Sequence, residues 1–114
     1  MGLATRIAGL LGLLGVALGA FGAHALESTL VARHMTGIWH TAVLYHLIHA
    51  VASLWGSQRS SPLVVWLWTA GVTLFSGSLY LYALLGTHWL VFVTPVGGAF
   101  FLVGWLVVII KPKG

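Results

Sequence analysis

The chain is nearly devoid of charge and wholly devoid of cysteine. Only six of its 114 residues carry a formal charge, and a single one of them, Glu27, is acidic. The absence of cysteine excludes disulfides, thiolate metal ligands and thiol chemistry. Because 60% of the residues are apolar, the chain lacks the polar side chains that cover a water-soluble domain of this size. We therefore expect lipid, rather than water, to surround most of its side chains.

The shortage of carboxylates also excludes several kinds of chemistry. Paired acid–base carboxylates and carboxylate metal cages cannot be built within a chain that has one acidic residue. The glycines match no phosphate-binding G-x-x-x-x-G-K pattern. The net charge of +4 comes from five basic residues that are too scattered to form a patch for nucleic acid. The sequence therefore predicts a non-enzymatic protein that has no cofactor and no nucleic-acid partner.

The few charged residues divide the chain into uncharged runs that match the thickness of a bilayer. A helix of about 20 apolar residues crosses a hydrocarbon core roughly 30 Å thick. The runs 7–26 and 34–58 each fit one crossing, and the run 60–110 fits two. The sequence thus predicts an all-α fold, a four-transmembrane-helix bundle that forms a single integral membrane domain over residues 1–114. The expected spans are residues 3–23, 37–57, 63–85 and 89–110.

The basic residues predict how these spans are oriented, because cytoplasmic loops carry an excess of Lys and Arg. Four of the five lie on the side shared by both termini and the middle loop, namely Arg6, Arg59, Lys111 and Lys113. Only Arg33 lies on the other side, where Glu27 offsets its charge. We therefore expect both termini in the cytoplasm.

The last span contains a proline, Pro95, which is followed by two glycines. Either Pro95 kinks a continuous helix over residues 89–110, or Thr94 caps a helix that begins at Pro95. The second arrangement leaves a helix of roughly 24 Å, at about 1.5 Å per residue, which is short for a bilayer. The kinked helix is therefore the expectation.

Glycines at helical spacing predict close packing between helices. Gly12, Gly15, Gly19 and Gly22 follow one another at intervals of 3, 4 and 3 residues, which places them on one stripe of the first span. In lipid, such a stripe lets a second backbone approach closely. The stripe either packs against another span of the same chain, which we favour, or joins two copies. Gly77, Gly97 and Gly98 are expected to serve the same purpose on the last two spans.

The second span carries the polar residues that are the best candidates for function. Its seam is spaced 4, 3, 4 and 3 residues apart, with Tyr45 beside it, and comprises Ala42, His46, His49, Ser53 and Gly56. Its opposite face is apolar and is expected to face lipid, with Val43, Leu47, Val51 and Leu54.

Buried imidazoles need hydrogen-bond partners. We expect partners from the third span, with Thr73, Ser76, Gly77 and Ser78 at similar depth, or from the backbone of the first span. Polar groups within a membrane are candidates for function. The two histidines either join helices, or they bind a ligand, a metal or a proton.

A second group of polar residues is predicted at the outer ends of the spans. It comprises His24, Glu27, His34, His40 and His88. Imidazoles with one carboxylate are suitable ligands for Zn²⁺, Cu²⁺ or Ni²⁺. The spacings match no compact metal motif, so this group is only a candidate metal site.

Five segments together resemble a known family. They are Gly19–His24 (GAFGAH), Trp39–Ala50 (WHTAVLYHLIHA), Phe75–Leu79 (FSGSL), Thr94–Gly98 (TPVGG) and Gly104–Trp105. They resemble the small YgdD-like inner-membrane proteins, a bacterial family of unknown function with a related mitochondrial group in animals. The resemblance touches all four expected spans and implies an integral protein of the bacterial inner membrane. It implies no activity, ligand or catalytic residue.

These observations leave two functional hypotheses. The first is an accessory, scaffolding or assembly component, whose helical faces bind lipid and other membrane subunits or further copies of itself. The second is a small binding or transport module for a small molecule, a metal or protons, centred on His46 and His49.

Overall fold

The computed structural model describes residues 2–110, and within that range it is helical and contains no strand. Lys111 and Lys113, on which part of the predicted orientation depends, lie outside the described residues. The α-helices are α1 (Leu3–Ala23), α2 (Glu27–Ala32), α3 (Thr36–Arg59), α4 (Pro62–Gly71), α5 (Gly77–Leu85) and α6 (Thr94–Ile110). A π-helical segment (Val72–Ser76) joins α4 to α5, and a 3₁₀ segment (His88–Phe92) precedes α6.

The first two long helices, α1 and α3, run antiparallel along their whole length. The hydroxyls of Thr5 and Ser57 lie 3.1 Å apart at one end of the pair. At the other end, Gly22 is in close contact with the indole of Trp39. Contacts that pair early residues of α1 with late residues of α3 define an antiparallel arrangement.

The remaining helices continue the same alternation. Gly56 of α3 lies against Val64 of α4, whereas Trp39 near the start of α3 packs on Tyr80 of α5, with ring centroids 4.8 Å apart. The rod formed by α4, the π segment and α5 is therefore antiparallel to α3. At the next interface, the Trp68 indole donates to the Phe101 carbonyl at 3.2 Å and Gly97 lies against Phe75, so α6 runs antiparallel to this rod.

Residues 2–110 form four long helical rods, namely α1, α3, the rod of α4, the π segment and α5, and the rod of the 3₁₀ segment and α6. Three of these rods are long and apolar enough to cross a membrane. They are Leu3–Ala23, Pro62–Leu85 and His88–Ile110, with mean hydropathies of 1.8, 1.4 and 2.3. The α3 helix has 24 residues but is absent from this set. Its seam of histidine, serine and glycine lowers its hydropathy, so length and composition support three of the four predicted spans.

Local sequence explains where several helices begin and end. The Ser61 hydroxyl accepts a hydrogen bond from the Leu63 amide at 3.1 Å, and Pro62 occupies the first turn of α4. Gly86, with φ of 70°, ends α5 in a left-handed conformation. Arg33 donates from Nε to the Ala83 carbonyl at 3.1 Å, which places a cation at the carboxyl end of α5.

The last rod differs from the prediction. Instead of a kinked α-helix over residues 89–110, a 3₁₀ segment is followed by an α-helix that begins at Thr94. Pro95 has no backbone N–H to bond a carbonyl of the preceding turn, and it stands in the first turn of α6, where a helix tolerates proline. The short helix α2 and the π-helical segment were also absent from the prediction.

Candidate functional site

The polar seam of α3 faces the interior of the bundle. Ala42 and Ser53 are fully buried, His46 and His49 are 3% and 4% exposed, and Gly56 is buried. The opposite face is mixed, because Val51 and Leu54 are exposed whereas Val43 and Leu47 are half-buried. The expectation that Val43 and Leu47 face lipid is therefore corrected: they pack on the glycine stripe of α1.

His46 joins three helices. Its Nε2–H donates to the Leu11 carbonyl of α1 at 2.8 Å, because a carbonyl only accepts. In the neutral ring, Nδ1 is then the acceptor, and it lies 2.9 Å from the Tyr80 hydroxyl of α5, which donates to it. Each ring nitrogen of His46 therefore has a hydrogen-bond partner, and the imidazole joins α3 to both α1 and α5.

His49, one turn further along the same seam of α3, forms a second pair of hydrogen bonds. Its Nδ1–H donates to the Tyr45 carbonyl of the same helix at 2.8 Å. Its Nε2 accepts from the Trp105 indole of α6 at 3.0 Å. The Phe101 ring stacks on the imidazole, with centroids 3.7 Å apart and planes within 9°. This histidine therefore joins α3 to α6.

The two imidazoles use all four of their ring nitrogens within the protein. Metal ligation requires a lone pair on one of these nitrogens, and each lone pair already accepts a hydrogen bond from Tyr80 or Trp105. Proton binding at His49 is opposed by the same geometry, because an indole N–H can only donate. The arrangement is suited to joining helices in a medium without water.

The other predicted polar residues have different partners. The Ser76 hydroxyl donates to the Ala42 carbonyl at 2.7 Å and so joins the π segment to α3. Thr73 is exposed, and its hydroxyl donates to Thr69 of its own helix at 2.8 Å. Among the described residues, the buried hydroxyl of Ser53 has no hydrogen-bond partner.

Three of the four stripe glycines of α1 lie against α3. A Cβ at Gly22 would overlap the Trp39 indole, which donates to the Leu18 carbonyl at 2.9 Å. A Cβ at Gly15 would lie 2.6 Å from a methyl group of Leu47, and one at Gly19 would lie 3.3 Å from Val43. At Gly12, no neighbouring side chain or backbone atom from the described part of the chain lies within 4 Å of the Cβ position. The stripe therefore contributes to packing within the chain at all positions except Gly12.

The glycines of the last two rods are also unequal. A Cβ at Gly97 would overlap the backbone of Phe75 and Leu74, so α6 touches the π segment backbone to backbone. The nearest atom to a Cβ at Gly98 is a ring carbon of Phe75, at 3.8 Å. At Gly77 it is the carbonyl of Val72, at 3.9 Å. Only Gly97 of these three is required by close packing.

The structure does not assemble the predicted outer metal site. Its five members, His24, Glu27, His34, His40 and His88, are all exposed. Across residues 2–110, no three histidine or acidic side chains lie close enough together to hold a metal ion. They lie on different loops and helix ends, which sequence spacing alone could not bring together.

Three side chains of the site were missed by sequence reasoning: Tyr80, Phe101 and Trp105. Tyr80 stands within an apolar run, and a polar aromatic in that position is a signal that could have indicated a partner for a histidine. Trp105 lies towards the end of the last span, where a tryptophan is typical of an interfacial anchor rather than of a buried site. Whether the Trp105 side chain faces His49 depends on how α6 packs against α3, which the sequence does not reveal.

Comparison with known proteins gives consistent results. Residues 18–98 match the family described as "Protein of unknown function (DUF423)". The chain is 38% identical over 106 residues to the UPF0382 membrane protein YwdK of Bacillus subtilis, covering 86% of this chain and 85% of that protein. It is 41% identical over 106 residues to the UPF0382 inner membrane protein YgdD of Escherichia coli, covering 87% of this chain and 80% of that protein. No solved structure matches the chain.

Proposed function

The chain belongs to the UPF0382 (DUF423) family of membrane proteins, and from that premise we propose that it is a non-enzymatic accessory component of the bacterial inner membrane. In this proposal the chain forms one four-span domain with both termini in the cytoplasm. Its outward helical faces bind other membrane subunits or further copies of itself. The histidines hold the bundle together.

The antiparallel pairing of α3 supports the four-span arrangement. This helix lies beside α1 from the Thr5–Ser57 contact at one end to the Gly22–Trp39 contact at the other. A helix of 24 residues is about 36 Å long at 1.5 Å per residue, enough to cross the hydrocarbon core. Because α1 is apolar enough to span, a partner beside it along its whole length would span with it.

Single cysteines test this arrangement cleanly because the chain contains none. We expect Ser28→Cys and His88→Cys to react with an impermeant maleimide added to intact spheroplasts. Gln58→Cys should react only after the membrane is opened. Labelling of Ser28→Cys and Gln58→Cys from the same side would show that α3 does not cross, and would contradict the four-span arrangement.

One observation supports the accessory role over the binding module: the four ring nitrogens of His46 and His49 are all paired within the bundle. A module that binds its ligand through these imidazoles needs at least one free nitrogen. Purification of the full chain from native membranes in mild detergent tests the role. We expect a membrane protein, or a second copy, in a fixed stoichiometric ratio.

Bulky substitutions on opposite outer faces make this experiment specific. Leu13 on α1 and Ile109 on α6 are 67% and 73% exposed, so Leu13→Trp and Ile109→Trp leave the interior unchanged. We expect one variant to release the partner and the other to retain it. Recovery of a monomer alone, from membranes treated beforehand with a crosslinker, would contradict the proposal.

A further inference from the structure

A groove of about 460 Å³ opens between α3, the π segment and α6. Its size lies within the range of sites that bind small molecules. His49, Phe101 and Trp105 form one end of its wall, and Tyr45 and Phe75 form the other. The polar seam of α3 therefore reaches the outside of the bundle at this place.

An irregular stretch of backbone and the start of an α-helix border the groove. Phe75 belongs to the π-helical segment, and Pro95 and Gly98 belong to the first turns of α6. Irregular backbone within a bilayer is tolerated where it is buried or lines a cavity, and π segments are frequent at functional sites. Gly98 has only one ordinary contact at its Cβ position, so it leaves the floor of the groove open.

Tyr45 lines the groove, and among the described residues its hydroxyl has no hydrogen-bond partner. Tyr45 is 40% exposed, and within residues 2–110 the only side-chain hydrogen bond at this residue is the one from His49 to its backbone carbonyl. Acyl chains supply no acceptor for a phenolic O–H. An occupant that satisfies this hydroxyl must carry a hydrogen-bond acceptor, and a carbonyl oxygen is one that a neutral ring can offer.

The aromatic rings of the wall indicate a flat occupant. The planes of Tyr45, His49 and Phe101 are parallel to within 15°, so they present one common orientation to a planar molecule. Within residues 2–110, no charged side chain lines the groove. A charged or strongly polar molecule would therefore lose its hydration without compensation.

We propose that this groove binds a neutral, planar, lipid-soluble ring that carries a carbonyl oxygen, of the quinone class. The ring lies against the aromatic wall, the Tyr45 hydroxyl donates to its carbonyl, and its apolar tail extends into the bilayer. Binding leaves the His46 and His49 hydrogen bonds intact. The site is separate from the helical faces proposed to bind subunits, but its access from lipid rests on the proposed membrane arrangement.

Titration of the full chain in nanodiscs with a decyl para-benzoquinone tests the proposal. We expect saturable quenching of tryptophan emission, because Trp105 lines the groove, together with a rise in the melting temperature. Decylbenzene, which has the ring and tail but no carbonyl, is the matched ligand control. We expect it to give neither effect.

Two variants locate the binding. Gly98→Leu fills the groove and should abolish saturation, whereas Gly9→Leu, at an exposed glycine of α1 with open space around it, should bind as the parent chain does. Tyr45→Phe removes the donor and should weaken binding about fivefold. Melting curves without ligand identify any variant that fails to fold.

Several outcomes would overturn the proposal. Quenching that rises linearly and is equal in Gly98→Leu would show partition into lipid only. Equal saturable binding of decylbenzene, unaffected by Tyr45→Phe, would show an acyl-chain site. Failure of this test alone leaves the topology intact, because the cysteine labelling measures that separately.

Discussion

His46 and His49 stand one turn apart on the same seam of α3, but their surroundings differ. The rings are equally buried, at 3% and 4% exposed. The partners of His46 are themselves buried, with Leu11 at 7% and Tyr80 at 8%. The partners of His49 are not, since Tyr45 is 40% and Trp105 39% exposed. The burial of an imidazole therefore does not show whether its hydrogen bonds can be reached from outside the bundle. The burial of its hydrogen-bond partners does show this.

The largest expected effect on stability comes from a substitution that separates α6 from the π segment, on the side of the bundle where His49 lies. In Gly97→Ala, the new methyl group would overlap the backbone of Phe75, which cannot move like a flexible side chain. We expect a loss of about 3 kcal/mol or more in the free energy of unfolding in micelles. Gly98→Ala, at the next position, meets only an ordinary contact and should change stability by less than about 1 kcal/mol. Equal effects would contradict the backbone contact.

The His46 side is tested by a methyl group on α1. In Gly22→Ala, the methyl group would displace the Trp39 indole and break its hydrogen bond to the Leu18 carbonyl. We expect a loss of about 2 kcal/mol, measured by the same unfolding experiment. The control is Gly9→Ala, which faces open space and should be neutral or slightly stabilising. A stable Gly22→Ala would show that α1 and α3 pack more loosely than described.

Removing one donor from each histidine sharpens the comparison directly. Tyr80→Phe leaves Nδ1 of His46 without a donor in a closed interior, and should cost about 1 to 2 kcal/mol. Trp105→Phe leaves Nε2 of His49 at the wall of the groove, where another donor can reach it, and should cost about 0.6 kcal/mol. Thermal unfolding of both variants in one detergent provides the measurement. The reverse order would contradict the distinction between a closed and an open site.

The smallest effect is expected from two hydroxyls of the π segment. Ser76→Ala removes the bond to the Ala42 carbonyl, one turn before His46, and should cost about 0.6 kcal/mol. Thr73→Ala removes a bond within its own helix at an exposed position, and should leave stability unchanged within about 0.5 kcal/mol. Melting temperatures measured side by side distinguish these outcomes. Equal losses would show that the Ser76 bond does not join the rods.

The helices and the buried seam could be predicted because they depend on local pattern. The predicted spans agree with the ends of the four long helical segments to within two residues, and the spacing of Ala42, His46 and His49 places them on one face. Their burial then follows from the need of an imidazole for partners in lipid.

The partners themselves could not be predicted, because they depend on how the rods pack. Leu11 contributes only a backbone carbonyl, which any residue has, so its side chain gives no signal. Trp105 reaches His49 only because α6 approaches the π segment at Gly97. The outer histidines do not form the predicted metal site, because residues at the same depth in the membrane can lie on different sides of the bundle.

The π-helical segment at Val72–Ser76 has a consequence for the length of the chain itself. A π turn contains one residue more than an α turn, and one residue corresponds to about 100° of rotation around a helix. Deleting a single residue there would let an ordinary α-helix run unbroken from Pro62 to the end of α5. Every later side chain of that rod would swing by more than a quarter circle, and the Tyr80 hydroxyl would turn away from His46. The rod therefore tolerates changes of residue type more readily than a change in the number of its residues.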